Sequence, residues 1–261
     1  MNSTVLITGA TGGIGYEFVK LFAAKNFHII AVGRNQEELD KLYSEFGGNI
    51  DSEIVCMKAD LSDKMQVYDL LNYIKGSGRE IDVLVNNAAS AVFGEFICSD
   101  IEEEIASINT NISAFTIITK AILKDMVRRG SGRVLNVAST AAFKPGPLMA
   151  VYYATKSYML SFSIAVASEI KDSGVSITVL CPGPTKTKFL EKSSPVELVN
   201  IDYSKMADPA EVALAGYSSL VKGKQLEIPG LKNKFNAIVA KLMPTSLLTD
   251  LLYRRRKKSI N

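Results

Sequence analysis

Short runs of apolar, largely β-branched residues alternate along the chain with longer segments that carry apolar residues at helical spacing. The runs do not alternate between polar and apolar residues, as a strand with one solvent-exposed face would, so we expect strands that are buried on both faces. The predicted strands are TVLIT (4–8), HIIAV (28–32), EIVCM (53–57), IDVLV (81–85), RVLNVA (133–138) and VSITVLC (175–181).

The segments between these runs predict helices. Repeated strand–helix units with right-handed crossovers build a doubly wound parallel sheet, and no repeat, low-complexity stretch or linker divides the chain. The sequence therefore predicts a single α/β domain of the Rossmann type over residues 1–230, with a helical C-terminal extension over residues 231–261. The predicted helices run from about Gly13 to Lys25, from near Asn35, from near Ser62, from about Asp100 to Arg129, and from about Tyr152 to Lys171.

Composition changes this picture little. A chain of 261 residues that is 47% hydrophobic and 22% charged is typical of a globular protein and excludes a wholly disordered one. No apolar run approaches the roughly 18–20 residues of a membrane span, and we expect no signal peptide because the first strand begins at Thr4. Three widely spaced cysteines without a CxxC pair, and a lone His28 in an apolar run, argue against disulfides and a metal site. They favour a reducing, cytoplasmic location.

The net charge of +3 is unevenly distributed. From Lys222 to the end there are ten Lys/Arg and two acidic residues, a net charge of +8, which leaves −5 for the first 221 residues. The basic character therefore belongs to the tail alone. An acidic body argues against nucleic acid as a partner.

Three glycines, Gly9, Gly13 and Gly15, occupy the turn between the first predicted strand and helix. The backbone N–H groups at a helix N-terminus bind phosphate, and glycines let a pyrophosphate approach without meeting a Cβ atom. The spacing is GxxxGxG rather than the more common GxGxxG. The alternative is a tight turn that only packs helix against strand, but its place in a parallel sheet favours a dinucleotide site.

The second predicted strand ends in Gly33-Arg34, where an NAD site usually offers a carboxylate to the ribose 2′-hydroxyl. A guanidinium instead suits a 2′-phosphate, so the sequence favours NADP(H) over NAD(H). The alternative is a solvated arginine that precedes an N-cap at Asn35. Asp60, after the third strand, is placed to accept from the adenine amine, and small residues follow the fourth strand at Asn87-Ala88-Ala89.

Tyr152 and Lys156 are four residues apart at the start of a predicted helix and therefore share one face. An unperturbed tyrosine has a pKa of about 10, and we expect the neighbouring ammonium to lower the pKa of Tyr152. Ser139, just past the fifth strand, could hydrogen-bond a substrate carbonyl beside this tyrosine. A YxxxK pair alone also occurs by chance on helix surfaces, and the glycine turn argues against that alternative.

With these residues the chain resembles the short-chain dehydrogenase/reductase family, from Thr4 to about Thr187. TGATGGIG (8–15) is similar to the family's TGxxxGIG turn, NNAA (86–89) to its NNAG, and PGPTKT (182–187) to its PGxxxT. Ala89 replaces the last glycine of NNAG, and Ala138 replaces the first serine of the usual pair before the catalytic site. The family's frequent DGG ending is absent, and we expect Gln225–Gly230 to supply the last strand.

The resemblance implies roles for four residues. Tyr152 exchanges the proton with the substrate oxygen, Lys156 holds the nicotinamide ribose, Ser139 polarises the carbonyl, and Asn111 anchors a water relay to Lys156. Tyr153 does not have the motif's spacing. The cofactor-binding residues implied are Gly9, Thr11, Gly13, Ile14, Gly15, Arg34, Asp60, Leu61, Asn87, Ala88, Tyr152, Lys156, Pro182, Gly183, Thr185 and Thr187.

Residues 188–207 resemble the family's substrate lid, and they are followed by a helix with Asp208 as N-cap and Pro209 at its first position. We expect an apolar carbonyl substrate, although ordinary core packing would also account for each apolar residue. The lid residues are Phe189, Leu190, Val196, Leu198 and Val199, and the facing wall is expected at Phe143, Pro145, Leu148 and Met149.

An amphipathic helix is predicted in the C-terminal extension. Three alternatives stay open for it: a docking helix over the substrate site or a subunit interface, a peripheral attachment to an anionic membrane at the inner membrane surface, or a solvated tail. This ending resembles a bacterial branch of the family related to reductases of acyl chains and steroids. Its apolar positions are Phe235, Ile238, Val239, Leu242 and Met243, continued by Leu247, Leu248, Leu251 and Leu252 before Arg254-Arg255-Arg256-Lys257-Lys258.

The sequence thus predicts an NADP(H)-dependent oxidoreductase that interconverts an apolar ketone or 3-oxoacyl compound and the secondary alcohol. The alternatives are a non-catalytic NADP-binding regulatory protein and a membrane-surface interaction protein on the same fold. The resemblance also implies a homodimer or homotetramer.

Overall fold

The apolar runs of the sequence form one seven-stranded parallel sheet, and β-branched residues fill it because both of its faces are covered by helices. The computed structural model describes residues 3–48, 53–189 and 206–257. In space the strands follow the order β3-β2-β1-β4-β5-β6-β7, which confirms the predicted doubly wound sheet. The strands are β1 Thr4–Thr8, β2 His28–Gly33, β3 Ile54–Lys58, β4 Val83–Asn86, β5 Gly132–Val137, β6 Val175–Leu180 and β7 Leu226–Glu227.

Each predicted helix is present, with small changes at the ends. The long helical segment after β4 is divided: α4 is followed by a π-helix, Asn109–Ala114, and then by α5. Asn35 and Asp208 are N-caps, as predicted. The described helices are α1 Gly13–Ala23, α2 Gln36–Phe46, α3 Lys64–Gly76, α4 Ile101–Ile108, α5 Phe115–Arg129, α6 Ala150–Glu169, α7 Pro209–Val221, α8 Leu231–Leu242 and α9 Thr245–Lys257.

Two hydrophobic layers hold the helices to the sheet. Successive residues of a strand point to opposite faces, so Val5 and Ile7 of β1 pack in the cluster that contains Phe18 and Phe22 of α1. Leu6, between them, packs on the other face in the cluster formed with α3 and α5. Among the described helices, none is both long enough and apolar enough to cross a membrane.

The strand order reverses between β1 and β4, which lie side by side at the middle of the sheet. A crevice opens at such a reversal, outside the carboxyl ends of the strands. The ends of β1, β4, β5 and β6 therefore bring the loops that carry the motifs of the sequence to one edge.

A buried polar network fixes β4 and β5 close to this edge. Asn86 and Asn136 are cross-strand neighbours, and the Asn86 amide donates to Asn136 Oδ1 at 2.9 Å and to the Thr119 hydroxyl of α5 at 2.9 Å. The Asn136 amide donates to the Ser163 hydroxyl of α6 at 2.8 Å. All four side chains are at most 4% exposed, so the network links two strands to α5 and α6, which pack in one cluster on the same face of the sheet.

We predict that Asn136→Ala lowers the free energy of unfolding by about 2–3 kcal/mol, because it leaves the Asn86 amide with one buried partner fewer. Urea denaturation of the full chain measures this loss. The double variant with Asn86→Ala should lose clearly less than the sum of the two single variants. Strict additivity would contradict a coupled network.

Candidate active site

An open cleft of about 1050 Å³ lies at the carboxyl edge of the sheet. It is lined by glycines and small residues at one end and by Ser139, Tyr152 and Lys156 at the other. Two of the residues expected at the site, Gly15 and Asn111, lie behind its wall. The other expected residues that line it are Gly9, Thr11, Gly13, Ile14, Arg34, Asp60, Leu61, Asn87, Ala88, Pro182, Gly183, Thr185 and Thr187.

The glycine turn is packed tightly around the start of α1. A Cβ atom on Gly15 would lie 2.0 Å from the Gly9 carbonyl oxygen, and Gly9 itself has a φ of +65°, which few other residues adopt. The Asn87 amide donates to that same carbonyl at 3.0 Å. Gly12 is the N-cap and has no side chain to satisfy the first N–H groups of α1. The turn therefore packs closely and also presents a helix N-terminus to the cleft.

Thr8, at the end of β1, opens the TGATGGIG motif and has a structural role that the motif alone does not show. Its hydroxyl accepts from the backbone N–H groups of Asn87 and Ala88, each at 3.1 Å. These bonds tie the loop after β4 to the glycine turn across the strand reversal. The small side chains at this loop leave room in the middle of the cleft.

The far end of the cleft carries Arg34 and a carboxylate. Arg34 is exposed directly after β2. Glu38, on the first turn of α2, accepts a hydrogen bond from the Thr11 hydroxyl at 2.9 Å, and its backbone N–H donates to Asn35. The sequence motifs did not point to the Glu38 carboxylate as a residue of the site, although the sequence shows a capping pattern from Asn35 to Glu38.

Asp60 follows β3 at the same end. Its Oδ1 accepts from the backbone N–H and the hydroxyl of Ser62, at 2.9 and 2.7 Å. This turn holds the carboxylate at the cleft wall.

Lys156 is a cation buried to 2% exposure. Its Nζ donates to the Val137 carbonyl at the end of β5, at 2.8 Å. Burial lowers the pKa of Lys156 to about 8, because desolvation disfavours the ammonium. At neutral pH most of this group is charged, and it loses its proton as the pH rises through 8.

Tyr152 lies one helical turn before Lys156, and the Nζ atom is 5.8 Å from the centre of its ring. Burial raises the pKa of Tyr152, and a hydrogen bond with the Ser139 side chain opposes the rise without cancelling it. The expected lowering of the pKa of Tyr152 is therefore wrong for this arrangement, because desolvation of the phenolate outweighs the hydrogen bond with Ser139. The phenol stays protonated at neutral pH.

Cys181, at the end of β6, lies in contact range of this group and is fully buried. Desolvation raises the pKa of its thiol to about 12, although Lys156 and a hydrogen bond from the Ser139 backbone favour the thiolate. The thiol is therefore neutral and brings no competing negative charge to Lys156.

Asn111 lies in the π-helix, a form that is frequent at functional sites. Its Oδ1 accepts from the Ser90 backbone N–H at 3.0 Å, and its amide donates to the Ser90 carbonyl at 2.8 Å. The amide also reaches the Thr155 hydroxyl at 3.1 Å, and that hydroxyl donates to the Tyr152 carbonyl. The Asn111 side chain thus clamps the loop after β4 to the start of α6.

The PGPTKT segment crosses the cleft towards the glycine turn. The Thr187 methyl group would lie 2.7 Å from a Cβ atom on Gly13, which shows how closely the two loops approach. Thr185 is buried and donates to the Gly183 carbonyl at 3.0 Å. Phe189, in the predicted lid segment 188–207, places its ring 5.5 Å from that of Tyr152. The lid positions Leu190, Val196, Leu198 and Val199 lie outside the described residues.

The expected substrate wall is only partly correct. Met149 lines the cleft, whereas Phe143 is buried beneath α8 with Ala237, and Lys241 lies over its ring at 5.5 Å. Leu148 is also buried, and Pro145 is exposed outside the cleft. The wall is formed instead by Tyr153 and Ala141, which pack in one cluster with Met149, Ala91 and Phe93.

The described part of the chain contains no group of three or more His, Cys, Asp or Glu side chains that could hold a metal ion.

Comparisons with known proteins agree with this geometry. Ketoacyl reductase HetN of Nostoc sp. is 29% identical over 96% of this chain and 88% of its own length. The very-long-chain 3-oxoacyl-CoA reductase of Anas platyrhynchos is 28% identical over 99% of this chain and 81% of its own.

Two solved structures share the fold. A short-chain dehydrogenase from Sphingobium yanoikuyae in complex with NADPH is 26% identical, with a TM-score of 0.81 over 90% of this chain and 92% of that one. A short chain dehydrogenase/reductase from Burkholderia phymatum in complex with NAD is 17% identical, with a TM-score of 0.80 over 91% and 92%. That second likeness extends to the fold alone.

The family model described as short chain dehydrogenase matches residues 3–197, which is most of the chain. This stretch contains every catalytic and glycine-turn residue discussed above. The chain belongs to the short-chain dehydrogenase/reductase family of nicotinamide-dependent oxidoreductases, which act on CH–OH and C=O groups.

Proposed function

We propose that this protein reduces an apolar ketone or 3-oxoacyl compound to the secondary alcohol with NADPH. The observation that carries the proposal is the meeting of Ser139, Tyr152 and a buried Lys156 at one end of a cleft, with a glycine turn at its other end. In the reduction direction the Tyr152 phenol is the proton donor, and it carries its proton at neutral pH.

Ser139 and Tyr152 would hold the substrate oxygen together. Their side chains are hydrogen-bonded to each other, so a carbonyl oxygen that approaches both would receive a bond from each hydroxyl. When bound, a nicotinamide cofactor supplies the hydride that forms the new C–H bond. Tyr152 gives its proton to the oxygen as negative charge develops there, and positioning and electrostatics account for most of the work that the protein does.

Lys156 would act through charge. The ammonium lies 5.8 Å from the Tyr152 ring and stabilises the phenolate that remains after proton transfer. From the same position it would hold the nicotinamide ribose. Asn111, whose side chain binds Ser90 and Thr155, would anchor the loop and the water relay that returns a proton to Tyr152.

The cofactor would lie along the cleft with its pyrophosphate at the N-terminus of α1 and its 2′-phosphate beside Arg34. The exposed guanidinium supports NADP(H) because it can form charge-assisted bonds to a phosphate. The Glu38 carboxylate is bonded to Thr11, and this bond keeps Thr11 and the start of α2 in place beside Arg34.

The substrate would be lipid-like. The wall beside Tyr152 is apolar and aromatic, with Met149, Tyr153 and Phe93 in one cluster and Phe189 over the catalytic ring. Two relatives that match nearly the whole chain are named as a ketoacyl reductase and a very-long-chain 3-oxoacyl-CoA reductase. We assign the catalytic unit to residues 1–230 and treat 231–261 as an extension.

We further propose a homodimer or homotetramer. Ile101 and Ile105, one turn apart on α4, are 58% and 42% exposed. Exposed apolar residues that lie together on one face of a helix are a common feature of subunit contacts.

Tyr152→Phe removes the proton donor and keeps the ring. We expect turnover to fall by about 10²–10⁴-fold, while NADPH affinity changes little. Turnover is measured by NADPH absorbance with the best substrate from a panel of ketones, 3-oxoacyl thioesters and steroids. Tyr153→Phe, the matched control, should retain most of the turnover. Equal losses in the two variants would contradict the role of Tyr152.

Arg34→Ala removes the partner of the 2′-phosphate. We expect NADPH affinity to fall roughly 10- to 100-fold, since bonds to charged groups are worth about 1.5–3 kcal/mol, and NADH affinity to stay the same. Fluorescence titration with both cofactors measures the ratio. Arg128→Ala, at an exposed arginine of α5, is the control. An unchanged ratio in Arg34→Ala would refute the cofactor preference.

A further inference from the structure

Helix α8 exposes a narrow row of large apolar side chains, which we call the apolar stripe. Its members are spaced by four, three and four residues, so they lie on one side of the helix. On the opposite side Ala237 is 5% exposed and packs in the cluster that contains Phe143. The stripe consists of Leu231, Phe235, Ile238 and Leu242, which are 84%, 65%, 58% and 80% exposed.

The predicted amphipathic helix is therefore present. A helix that docks on its own protein buries its large apolar residues, whereas α8 exposes them. Its small residues face the protein body, and its large apolar residues face outwards. Helix α9 continues this pattern, with Leu247 and Leu251 about half exposed. An apolar surface of this extent marks an interaction site.

The extension is also strongly basic. Residues 231–261 contain eight Lys/Arg and a single acid, Asp250, for a net charge of +7, whereas residues 1–230 carry −4. The sequence Arg254-Arg255-Arg256-Lys257-Lys258 follows the last leucines directly. An apolar stripe beside a cluster of cations has the chemistry of an element that lies in the surface of an anionic bilayer.

The extension is anchored to the rim of the cleft. Asn233 of α8 contacts Gly183 so closely that a Cβ atom there would lie 2.6 Å from its side chain. The Tyr253 hydroxyl of α9 donates to Glu95 at 2.9 Å, in the loop after β4. Next to Glu95, Phe96 and Ile97 are 58% and 88% exposed. Exposed apolar residues are thus present both on the extension and in the loop to which α9 is attached.

We propose that helices α8 and α9 bind the surface of an anionic lipid bilayer, with the apolar stripe inserted among the headgroups and the basic residues against the lipid phosphates. Symmetric pairing of two copies through the stripe would bring two segments of +7 together, and this repulsion favours the bilayer as the occupant. The contact would hold the mouth of the cleft beside the lipid. Binding does not depend on the proposed reaction.

The test is co-sedimentation of the full chain with vesicles of phosphatidylglycerol and phosphatidylcholine. We expect binding to rise with the phosphatidylglycerol fraction and to be weak on pure phosphatidylcholine. It should fall as the salt concentration is raised from about 50 to about 500 mM, because salt screens the attraction between charges. Binding of equal strength to both lipids would overturn the electrostatic part of the proposal. No binding to either lipid would overturn it entirely.

Variants separate the two contributions. Phe235→Gln/Ile238→Gln/Leu242→Gln should weaken binding at least about tenfold, and Arg254→Gln/Arg255→Gln/Arg256→Gln about fivefold per charge removed. The control Met65→Gln/Leu214→Gln/Val221→Gln changes residues of similar exposure on α3 and α7 and should bind as the unaltered chain does.

Sedimentation velocity without lipid identifies the competing occupant. If the stripe variant breaks an oligomer of the unaltered chain and vesicle binding is absent, the stripe is covered by a second copy and the proposal is wrong. An unchanged oligomeric state together with lost vesicle binding supports it. Because the readout is binding, failure of the proposed reductase activity would leave this result intact.

Discussion

A single buried cation organises the active end of the molecule. Lys156 is taken out of water and is held by one carbonyl, that of Val137 at the end of β5. Desolvating an ammonium costs several kcal/mol, so the fold can hold it only where strand and helix meet in a fixed geometry. The parallel sheet supplies that geometry, because β5 ends directly beneath the first turns of α6.

The supporting contacts all act on the same junction. The network from Asn86 to Ser163 fixes β4 and β5 to α5 and α6. Asn111 fixes the loop after β4 to Thr155 at the start of α6. Cys181 stays neutral, so the ammonium faces the Tyr152 phenol without a nearby thiolate. The same burial that lowers the pKa of Lys156 raises that of Tyr152, so at neutral pH the phenol keeps its proton beside the ammonium.

Much of the fold and of the candidate site could be predicted from the sequence, because buried parallel strands and the turns that follow them have characteristic local sequence patterns. The buried strands, the glycine turn and the Tyr152–Lys156 spacing depend on local pattern, and the structure brings these residues to one cleft. Contacts between distant segments left no such signal: Phe143 was expected in the substrate wall, but it is covered by α8, and Glu38 reaches Thr11 through the fold. The pKa of Tyr152 was predicted in the wrong direction, since spacing shows that a charge is near but not how deeply both groups are buried. The amphipathic pattern of α8 gave its apolar face but not the direction in which that face points.

The pH dependence of kcat/KM for NADPH tests the role of Lys156 most directly, because this ratio reports ionisations of the free enzyme. Its lowered pKa means that the ammonium is mostly present at neutral pH and is half lost at a pH of about 8, while Tyr152 keeps its proton. We therefore expect kcat/KM to be level up to about pH 8 and to fall above it. In Lys156→Arg, whose guanidinium stays protonated, the fall should move to higher pH. A profile that stays level to pH 10, or an inflection unmoved in Lys156→Arg, would contradict a buried ammonium as the centre of the site.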